Sequence, residues 1–361
     1  MPSNAFRQRR NTLQQRLAAE KLDAFVVTSA ANVRYLSGFT GSNGMLLVLA
    51  AGDAVLFTDP RYRIQAAQEA DCRVKVGTGP LLGHVLPILR KKKIRGVAFE
   101  RSRMSFEMYQ SLKEGLPLKS SAEPVGGWIE HQRMIKSEAE IALIRHSVLV
   151  NSRAFERAVS GVRGGMSEKD LASELDSQMR RLGAESAAFE TIVATGTRTA
   201  LPHAKPTAAV FRAGSLILVD MGAACEGYAS DMTRMLCLGR PGSRLKRAYA
   251  AVLEAQLAGI AAVKAGVEAQ TVDRAARRVL RRHGMERAFV HSTGHGLGLE
   301  IHEPPRLGKR DRTFLAPGMA ITIEPGVYLE GFGGVRIEDT VIVTQNGCEV
   351  LTPTPKGLRL M

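Results

Sequence analysis

The sequence has little of several patterns on which particular protein classes depend. It contains 4 cysteines among 361 residues, scattered and without a CxxC pair, so no disulfide framework is indicated. No unbroken apolar run reaches membrane-spanning length, and the basic residues near the amino terminus are not followed by the apolar segment of a secretory signal. These absences predict a cytoplasmic protein without a membrane partner.

Signatures of several enzyme classes are also missing. The chain has no HExxH zinc motif, no Walker loop and no GxSxG nucleophile elbow. Each of these motifs places a reactive group at a fixed spacing that its chemistry requires. Their absence argues against the main alternative classes of hydrolase and of nucleotide-binding enzyme.

Acidic residues are outnumbered by basic ones. The sequence contains 50 Lys and Arg but only 35 Asp and Glu, so the formal charge is +15 and the pI is about 10.0. Such a charge attracts polyanions, but the basic clusters are dispersed, lack interleaved aromatic residues and match no nucleic-acid-binding module. They lie at residues 7–10, 91–93, 277–282 and 309–312. We interpret them as a solvated basic surface and expect no specific nucleic-acid partner.

The length of the chain suits two domains better than one core. Strand and helix signals alternate through residues 1–125, which predicts an α/β domain. Small, polar and turn-forming residues at 120–127 mark its end, and we place a linker at residues 126–136. Ser137, with Glu140 three residues later, predicts the capping box of a long helix that opens a second domain, residues 137–361.

Two acids, Asp220 and Asp231, stand at the centre of the second domain. The apolar run at 216–219 predicts a buried strand, followed by a turn near residues 225–227 and a second strand. If residues 225–226 form the turn, Asp220 lies opposite Asp231. If residues 226–227 form it, Asp220 faces Thr233 and Asp231 lies two residues away on the same face. Both registers point the two carboxylates to one side of the hairpin.

Two neighbouring carboxylates repel each other unless a proton or a cation lies between them. Cross-strand neighbours are about 4.5–5.5 Å apart at Cβ, which suits a metal pair about 3.5–4 Å apart. The alternative interpretation of the two acids is that one is a solvated strand residue and the other a turn residue. An acid that ends a buried apolar strand favours the metal site slightly, because a lone buried carboxylate is costly.

Further polar markers follow along the chain. His291, His295 and His302 lie in one glycine-rich stretch, and another histidine, His203, follows Pro202. A glutamate, Glu324, ends an apolar strand, and Arg336 and Glu338 alternate on one strand face. Each marker alone is weak, because lone histidines and strand-end acids are usually structural or solvated. Together they indicate cations, since so many acids are difficult to bury without them.

The local sequences VDMG, SDMTR, TGHGLGLEIHE, TIEPG and GGVRIEDT, in this order, resemble the pita-bread metallopeptidases. Within that group they are most similar to the Xaa-Pro peptidases, aminopeptidase P and prolidase. The stretches NVRYLSGFTGS and TDPRY resemble the amino-terminal domain of the same proteins. The resemblance implies a two-domain fold of the α/β class, with a creatinase-like α/β amino-terminal domain and an α+β pita-bread catalytic domain.

The resemblance also implies a role for each marker. Two divalent metal ions, most often Mn²⁺ with Co²⁺ or Zn²⁺ tolerated, would hold a bridging hydroxide as the nucleophile. Glu324 would also shuttle a proton to the leaving nitrogen, His302 and His203 would contact the carbonyl oxygen, His291 would line the proline side, and Arg336 would orient an acid ligand. The implied metal ligands are Asp220, Asp231, His295, Glu324 and Glu338.

The implied activity is that of an exopeptidase acting on peptides with proline at the second position. Our main prediction is a Xaa-Pro aminopeptidase, with a Xaa-Pro dipeptidase (prolidase) as the alternative. A non-catalytic binding protein on the same fold is the alternative from another class, and the intact ligand set argues against it. The resemblance further implies a homodimer in which the partner's amino-terminal domain narrows the active-site mouth.

Overall fold

The computed structural model describes residues 3–361. The chain divides between Arg133 and Met134 into two compact units. This confirms the predicted two-domain α/β organisation. None of the helices in the described residues is long and apolar enough to cross a membrane.

The first unit is an α/β domain built on one six-stranded sheet with the strand order β4-β3-β2-β1-β5-β6. Every residue of β1 and of β5 is buried, as expected for strands with both faces covered. The strands are β1 (Ala24–Val27), β2 (Gly44–Leu49), β3 (Val55–Thr58), β4 (Arg73–Val76), β5 (Gly96–Glu100) and β6 (Ser121–Val125). The helices are α1 (Ser3–Ala19), α2 (Ala30–Ser37), α3 (Arg63–Glu69), α4 (Leu81–Lys91), α5 (Phe106–Gly115) and α6 (Trp128–Met134).

The turn-rich stretch that we associated with the domain boundary is partly regular structure. Residues 121–125 form β6, the edge strand that pairs in parallel with β5. Its Pro124 fits an edge position, because proline cannot donate a hydrogen bond to a further strand. After it, α6 spans the division between the units.

The second unit contains four long helices and fourteen short strands in several sheets. The predicted capping box begins α7, since Ser137 Oγ accepts from the Glu140 amide and the Glu140 carboxylate accepts from the Ser137 amide. The helices are α7 (Glu138–Val159), α8 (Glu168–Arg181), α9 (Ser243–Ala262) and α10 (Ala269–Arg282). The strands up to the centre of the unit are β7 (Ser186–Ala187), β8 (Ile192–Thr195), β9 (Leu216–Met221), β10 (Ala223–Cys225), β11 (Tyr228–Ala229) and β12 (Met232–Cys237).

The remaining strands form the second half of this unit. They are β13 (Gly294–Gly296), β14 (Glu303–Leu307), β15 (Ala320–Ile323), β16 (Gly326–Leu329), β17 (Gly333–Arg336), β18 (Asp339–Val343), β19 (Cys348–Val350) and β20 (Arg359–Leu360). The sheet orders are β11-β10-β7, β20-β12-β9-β8, β14-β13-β15-β18-β19 and β16-β17.

Strand β9 lies between two helix pairs and shows why the acid hairpin is buried. Its odd-numbered residues, Ile217 and Val219, belong to the core formed with α7 and α8. Its even-numbered residues, Leu216 and Leu218, belong to the core formed with α9 and α10. By the alternation of a strand, Asp220 lies on the same face as the even-numbered pair. A charged group therefore lies one residue before the end of a strand that is otherwise wholly apolar and buried.

The second of the two predicted registers is the one that forms. Asp220 pairs with Thr233 in β9 and β12, and Cys225 pairs with Tyr228 across the turn. The two turn residues, Glu226 and Gly227, both have positive φ, the conformation of a type I′ turn, whose twist matches that of the flanking strands. The turn thereby sets the positions of both acids.

Candidate metal centre

All nine residues singled out from the sequence line one cavity of about 790 Å³ in the second unit. They come from six separate segments of the chain, so the fold brings together side chains up to 135 positions apart. They are His203, Asp220, Asp231, His291, His295, His302, Glu324, Arg336 and Glu338. Pro202 also lines the cavity, whereas Tyr228, in the acid hairpin, is buried away from it and donates to Glu140.

The centre of the cavity is a cluster of three potential ligands. Asp231, His295 and Glu338 each offer one ligand atom, and these atoms all lie within 4.8 Å of one another. The His295 Nε2 atom lies 3.5 Å from Asp231 Oδ2 and 3.5 Å from Glu324 Oε1. The His295 Nδ1 atom lies 2.9 Å from the Gly296 carbonyl oxygen, which can only accept a hydrogen bond. In the neutral ring Nδ1 therefore carries the proton, and the Nε2 lone pair faces the acids.

Two carboxylate oxygens in this cavity have no partner. Asp220 Oδ1 and Asp231 Oδ1 are buried and accept no hydrogen bond from any described residue. A buried, unpartnered carboxylate oxygen is costly, and a bound cation would remove that cost. Four carboxylates with one imidazole form an oxygen-rich donor set of the kind that Mn²⁺, Co²⁺ or Zn²⁺ accepts. The residues therefore fit a metal site.

The acids also perturb one another. Burial, and then the charges of Asp220 and Glu324, raise the pKa of Asp231 well above its usual value. Burial, and then the charge of Asp231, do the same to the pKa of Glu338. Burial raises the pKa of Glu324, although the nearby His295 and Arg336 oppose the shift. These shifts describe a concentration of negative charge that needs protons or cations to be stable.

Arg336 and Thr233 link two of the acids. The Arg336 guanidinium donates to Asp220 Oδ2 at 2.6 Å and to Thr233 Oγ1 at 3.0 Å. The Thr233 hydroxyl in turn donates to Glu338 Oε2 at 2.7 Å. The hairpin register explains this arrangement, because it sets Thr233 directly opposite Asp220. One arginine thus orients a carboxylate from β9 and, through the threonine, one that precedes β18.

His291 has both ring nitrogens engaged. Arg336, which can only donate, lies 2.6 Å from the Tyr328 hydroxyl, so the proton of that hydroxyl points to His291 Nε2 at 2.9 Å. His291 Nδ1 donates to the Ser292 carbonyl oxygen at 2.8 Å. The ring is therefore neutral in this arrangement, in agreement with burial, which lowers the pKa of His291 to about 4. His291 forms a wall of the cavity, and hydrogen bonds occupy both of its ring nitrogens.

The other two histidines are available. His302 packs edge-on against His295 with 4.4 Å between the ring centroids, and burial lowers its pKa. Neither His302 nor His203 forms a hydrogen bond with a described residue, and both are exposed at the cavity. Of the three histidines outside the predicted ligand set, His291 is therefore held by hydrogen bonds at both nitrogens. His302 and His203 have no hydrogen-bond partner among the described residues.

Sequence reasoning missed several residues that shape the site. Tyr328 had no recognisable signal, because its contacts are to residues 8 and 37 positions away. Thr233 stands two residues after Asp231 on the same strand face, and that spacing could have identified it. Glu303 lines the cavity and forms a buried ion pair with Lys136 at 3.2 Å, which only the folded chain brings together.

Comparisons with known proteins identify the family of the chain. Residues 142–345 match metallopeptidase family M24, and residues 9–135 match the creatinase/prolidase N-terminal domain. A Xaa-Pro dipeptidase of Pyrococcus furiosus is 34% identical over 337 residues, covering 93% of this chain and 95% of that protein.

Two solved structures extend the comparison. A Xaa-Pro dipeptidase from Bacillus anthracis is 37% identical with a TM-score of 0.95, covering 99% of this chain and 100% of the other. An X-Pro aminopeptidase from Thermotoga maritima is 36% identical with a TM-score of 0.89, covering 96% and 99%. The chain is therefore a metal-dependent peptidase of metallopeptidase family M24, with the pita-bread fold and a creatinase/prolidase amino-terminal domain.

Proposed function

We propose that this peptidase is a Xaa-Pro dipeptidase. The observation that carries the proposal is the similarity to Xaa-Pro dipeptidases along nearly the whole chain, with a structural match at a TM-score of 0.95. Our main prediction from the sequence was an aminopeptidase, and it is not confirmed. The relatives favour the dipeptidase alternative.

We propose Asp220, Asp231, His295, Glu324 and Glu338 as the ligands of two divalent cations. The support is their convergence in one cavity, the lone pair of His295 that faces the acids, and the unpartnered oxygens of Asp220 and Asp231. Mn²⁺ is the cation that we expect, since the donor set is rich in hard oxygen ligands. Two cations held there would polarise the scissile carbonyl and lower the pKa of bound water.

The proton transfers fall to Glu324 in this proposal. Its carboxyl is buried in the cavity beside His295, and burial raises its pKa toward the range in which a carboxyl can both take up and release a proton. It would accept the proton of the attacking water and deliver it to the nitrogen of the leaving proline. The leaving amine needs this proton, because an amide anion is too basic to depart.

The free histidines would stabilise the developing negative charge. His302 and His203 line the cavity without hydrogen-bond partners among the described residues, so each can donate to the carbonyl oxygen of a bound peptide. His291, whose nitrogens are engaged, would contribute its ring as a surface for the substrate. Arg336 would act on the reaction indirectly, by holding Asp220 in place.

A Xaa-Pro aminopeptidase is the second candidate, because the Thermotoga maritima protein of that name is 36% identical. Hydrolysis of Ala-Pro compared with Ala-Pro-Ala by the metal-loaded protein distinguishes the two. We expect the higher kcat/KM for Ala-Pro, and a clear preference for the tripeptide would establish the aminopeptidase. A non-catalytic binding protein, the remaining alternative, would hydrolyse neither peptide. Metal content by mass spectrometry shows whether the protein used in that assay carries its cations.

We also propose that the protein is a homodimer, which is what its resemblance to the pita-bread peptidases implies. Residues 1–125 carry none of the proposed ligands. A role in assembly would account for a complete domain without site residues. Light scattering at micromolar concentration tests the proposal, and a monomeric mass would refute it.

A further inference from the structure

A second cavity adjoins the one that holds the candidate metal centre. Its volume is about 1040 Å³. Four residues line both cavities, so the two form one continuous surface: His291, Ser292, Arg306 and Asp311. Basic residues at 309–312, which the sequence suggested were only a solvated cluster, line this second cavity.

The second cavity is strongly cationic. Six basic residues line it, namely Arg277, Arg287, Arg306, Lys309, Arg310 and Arg312, against two acids. Both acids are already engaged: Glu286 pairs with Arg281 at 2.6 Å, and Asp311 accepts hydrogen bonds from the Arg306 and Thr313 amides. Six basic residues against two acids leave the lining of the cavity with a net formal charge of +4.

Four of the six basic residues have neither a carboxylate partner nor a side-chain hydrogen bond among the described residues, whereas the Arg306 guanidinium donates to Ser292 Oγ at 3.2 Å. Arg287, Lys309, Arg310 and Arg312 are exposed and form no ion pair with any described residue, and we call these four the cationic rim. Arg277 is different, because it is buried and bonded to Asp273 and to the carbonyl oxygens of Phe289 and His291. Unpaired like charges repel one another, so the rim is more favourable with an anion beside it.

We propose that the cationic rim attracts substrates that carry an additional carboxylate, which in a Xaa-Pro dipeptide means Asp or Glu as the first residue. This inference rests on the proposed function and specifies its substrate class. A surface of one charge sign beside a cleft raises the local concentration of the opposite charge. The rim lines the second cavity, which shares four residues with the catalytic cavity, so its positive potential acts on substrates that approach the catalytic cavity.

The surface is less suited to nucleic acid. Recognition of single strands relies on aromatic side chains on which bases stack. The one aromatic residue that lines the second cavity, Phe289, is buried and packs against His291 and Arg277. Among the described residues of this cavity, recognition would therefore depend on positive charge and on the position beside the active-site cavity.

The isosteric dipeptides Glu-Pro and Gln-Pro provide the test, because they differ in charge but hardly in shape. At low salt we expect the kcat/KM of Glu-Pro to exceed that of Gln-Pro by about tenfold, the lower end of the range for charge-lined clefts. The difference should lie in KM and not in kcat, because the rim lies outside the proposed catalytic residues. It should shrink as salt rises to about 1 M, where the screening length is about 3 Å.

A charge-reversed variant tests whether the rim is the source. Lys309→Glu with Arg310→Glu should abolish or invert the preference for Glu-Pro while metal content and the kcat for Gln-Pro stay unchanged. The matched control is Arg153→Glu with Arg157→Glu, which makes the same change in net charge on the exposed side of α7, outside both cavities. The control should keep most of the preference.

Three outcomes would overturn the inference. Hydrolysis of both dipeptides at equal kcat/KM, unaffected by the rim variant, would refute it and leave the proposed function standing. Equal loss of the preference in the rim variant and in the control would assign the effect to net charge instead of the rim. Failure of the metal-loaded protein to hydrolyse either dipeptide would refute both the proposed function and the inference.

Discussion

The Tyr328 hydroxyl lies 2.9 Å from His291 Nε2 and accepts a hydrogen bond from Arg336 at 2.6 Å, so one phenol joins a cavity wall to the arginine that holds Asp220. Removing that hydroxyl affects both neighbours. It leaves His291 Nε2 without a donor and one N–H of Arg336 without an acceptor inside a buried region.

Tyr328→Phe should therefore destabilise the protein by about 1–3 kcal/mol, the cost of leaving buried polar groups unsatisfied. We expect kcat/KM for Ala-Pro to fall as well, because Asp220 and His291 lose a common support, while two metals remain bound. Urea denaturation and metal analysis measure the two effects. Unchanged stability would show that water replaces the hydroxyl and that the network is not a positioning device.

Asp231→Asn should abolish both activity and metal loading. The carboxylate of Asp231 is buried, lies in the three-ligand cluster and has one oxygen without a partner. A neutral amide cannot offset the charge of two cations as a carboxylate does. Mass spectrometry of the purified variant measures metal content. Near-normal turnover with two metals still bound would remove Asp231 from the ligand set.

His302→Ala should keep the metals and lower kcat by about 10²–10³, the usual loss when one donor to a developing oxyanion is removed. The imidazole is exposed in the cavity beside His295 and has no other partner among the described residues. The control is His291→Ala, which removes a ring whose nitrogens are engaged and should act mainly on KM and on stability. Collapse of metal affinity in His302→Ala would instead make that residue a ligand.

Gly294→Ala should destabilise the protein by about 1–3 kcal/mol or prevent folding. A Cβ atom at this position would lie 1.9 Å from the Thr322 carbonyl oxygen, which is backbone and cannot move aside easily. Because His295 is the next residue, metal affinity should fall too. Gly357→Ala is the matched control, since a Cβ there meets no atom within 4 Å. Equal stability of the two variants would contradict this account.

The thiol of Cys72 should react slowly in the native protein. Burial raises its pKa to about 11. Because the thiolate is the reactive form, modification at pH 8 should be roughly a hundredfold slower than for a free thiol. The folded state holds the proton more tightly than the unfolded state, so stability is unaffected below about pH 8.5 and is lost as pH rises toward 11. Cys72→Ser isolates this thiol, and rapid labelling at pH 8 would contradict the prediction.

Several parts of the molecule could be predicted from local sequence. The capping box at Ser137 and Glu140 defines the start of α7, because both hydrogen bonds join residues three positions apart. The apolar run before Asp220 predicts a buried strand, and strand alternation places Asp220 and Asp231 on one face in either register. The turn-rich stretch at 120–127 gave no sign of β6, because a polar edge strand can have the same composition as a loop.

The sequence by itself determined the set of candidate site residues, because the ordered motifs around Asp220, His295 and Glu338 resemble those of the pita-bread metallopeptidases. Only the tertiary structure decided which contacts the members of that set make. It selected the register through the turn at Glu226 and Gly227, because both residues must adopt positive φ. It placed His291 in a hydrogen bond with Tyr328 and left His302 without a hydrogen-bond partner among the described residues. It also brought the basic residues at 309–312 beside the active-site cavity. These contacts join residues distant in sequence, and their partners depend on how the whole chain packs.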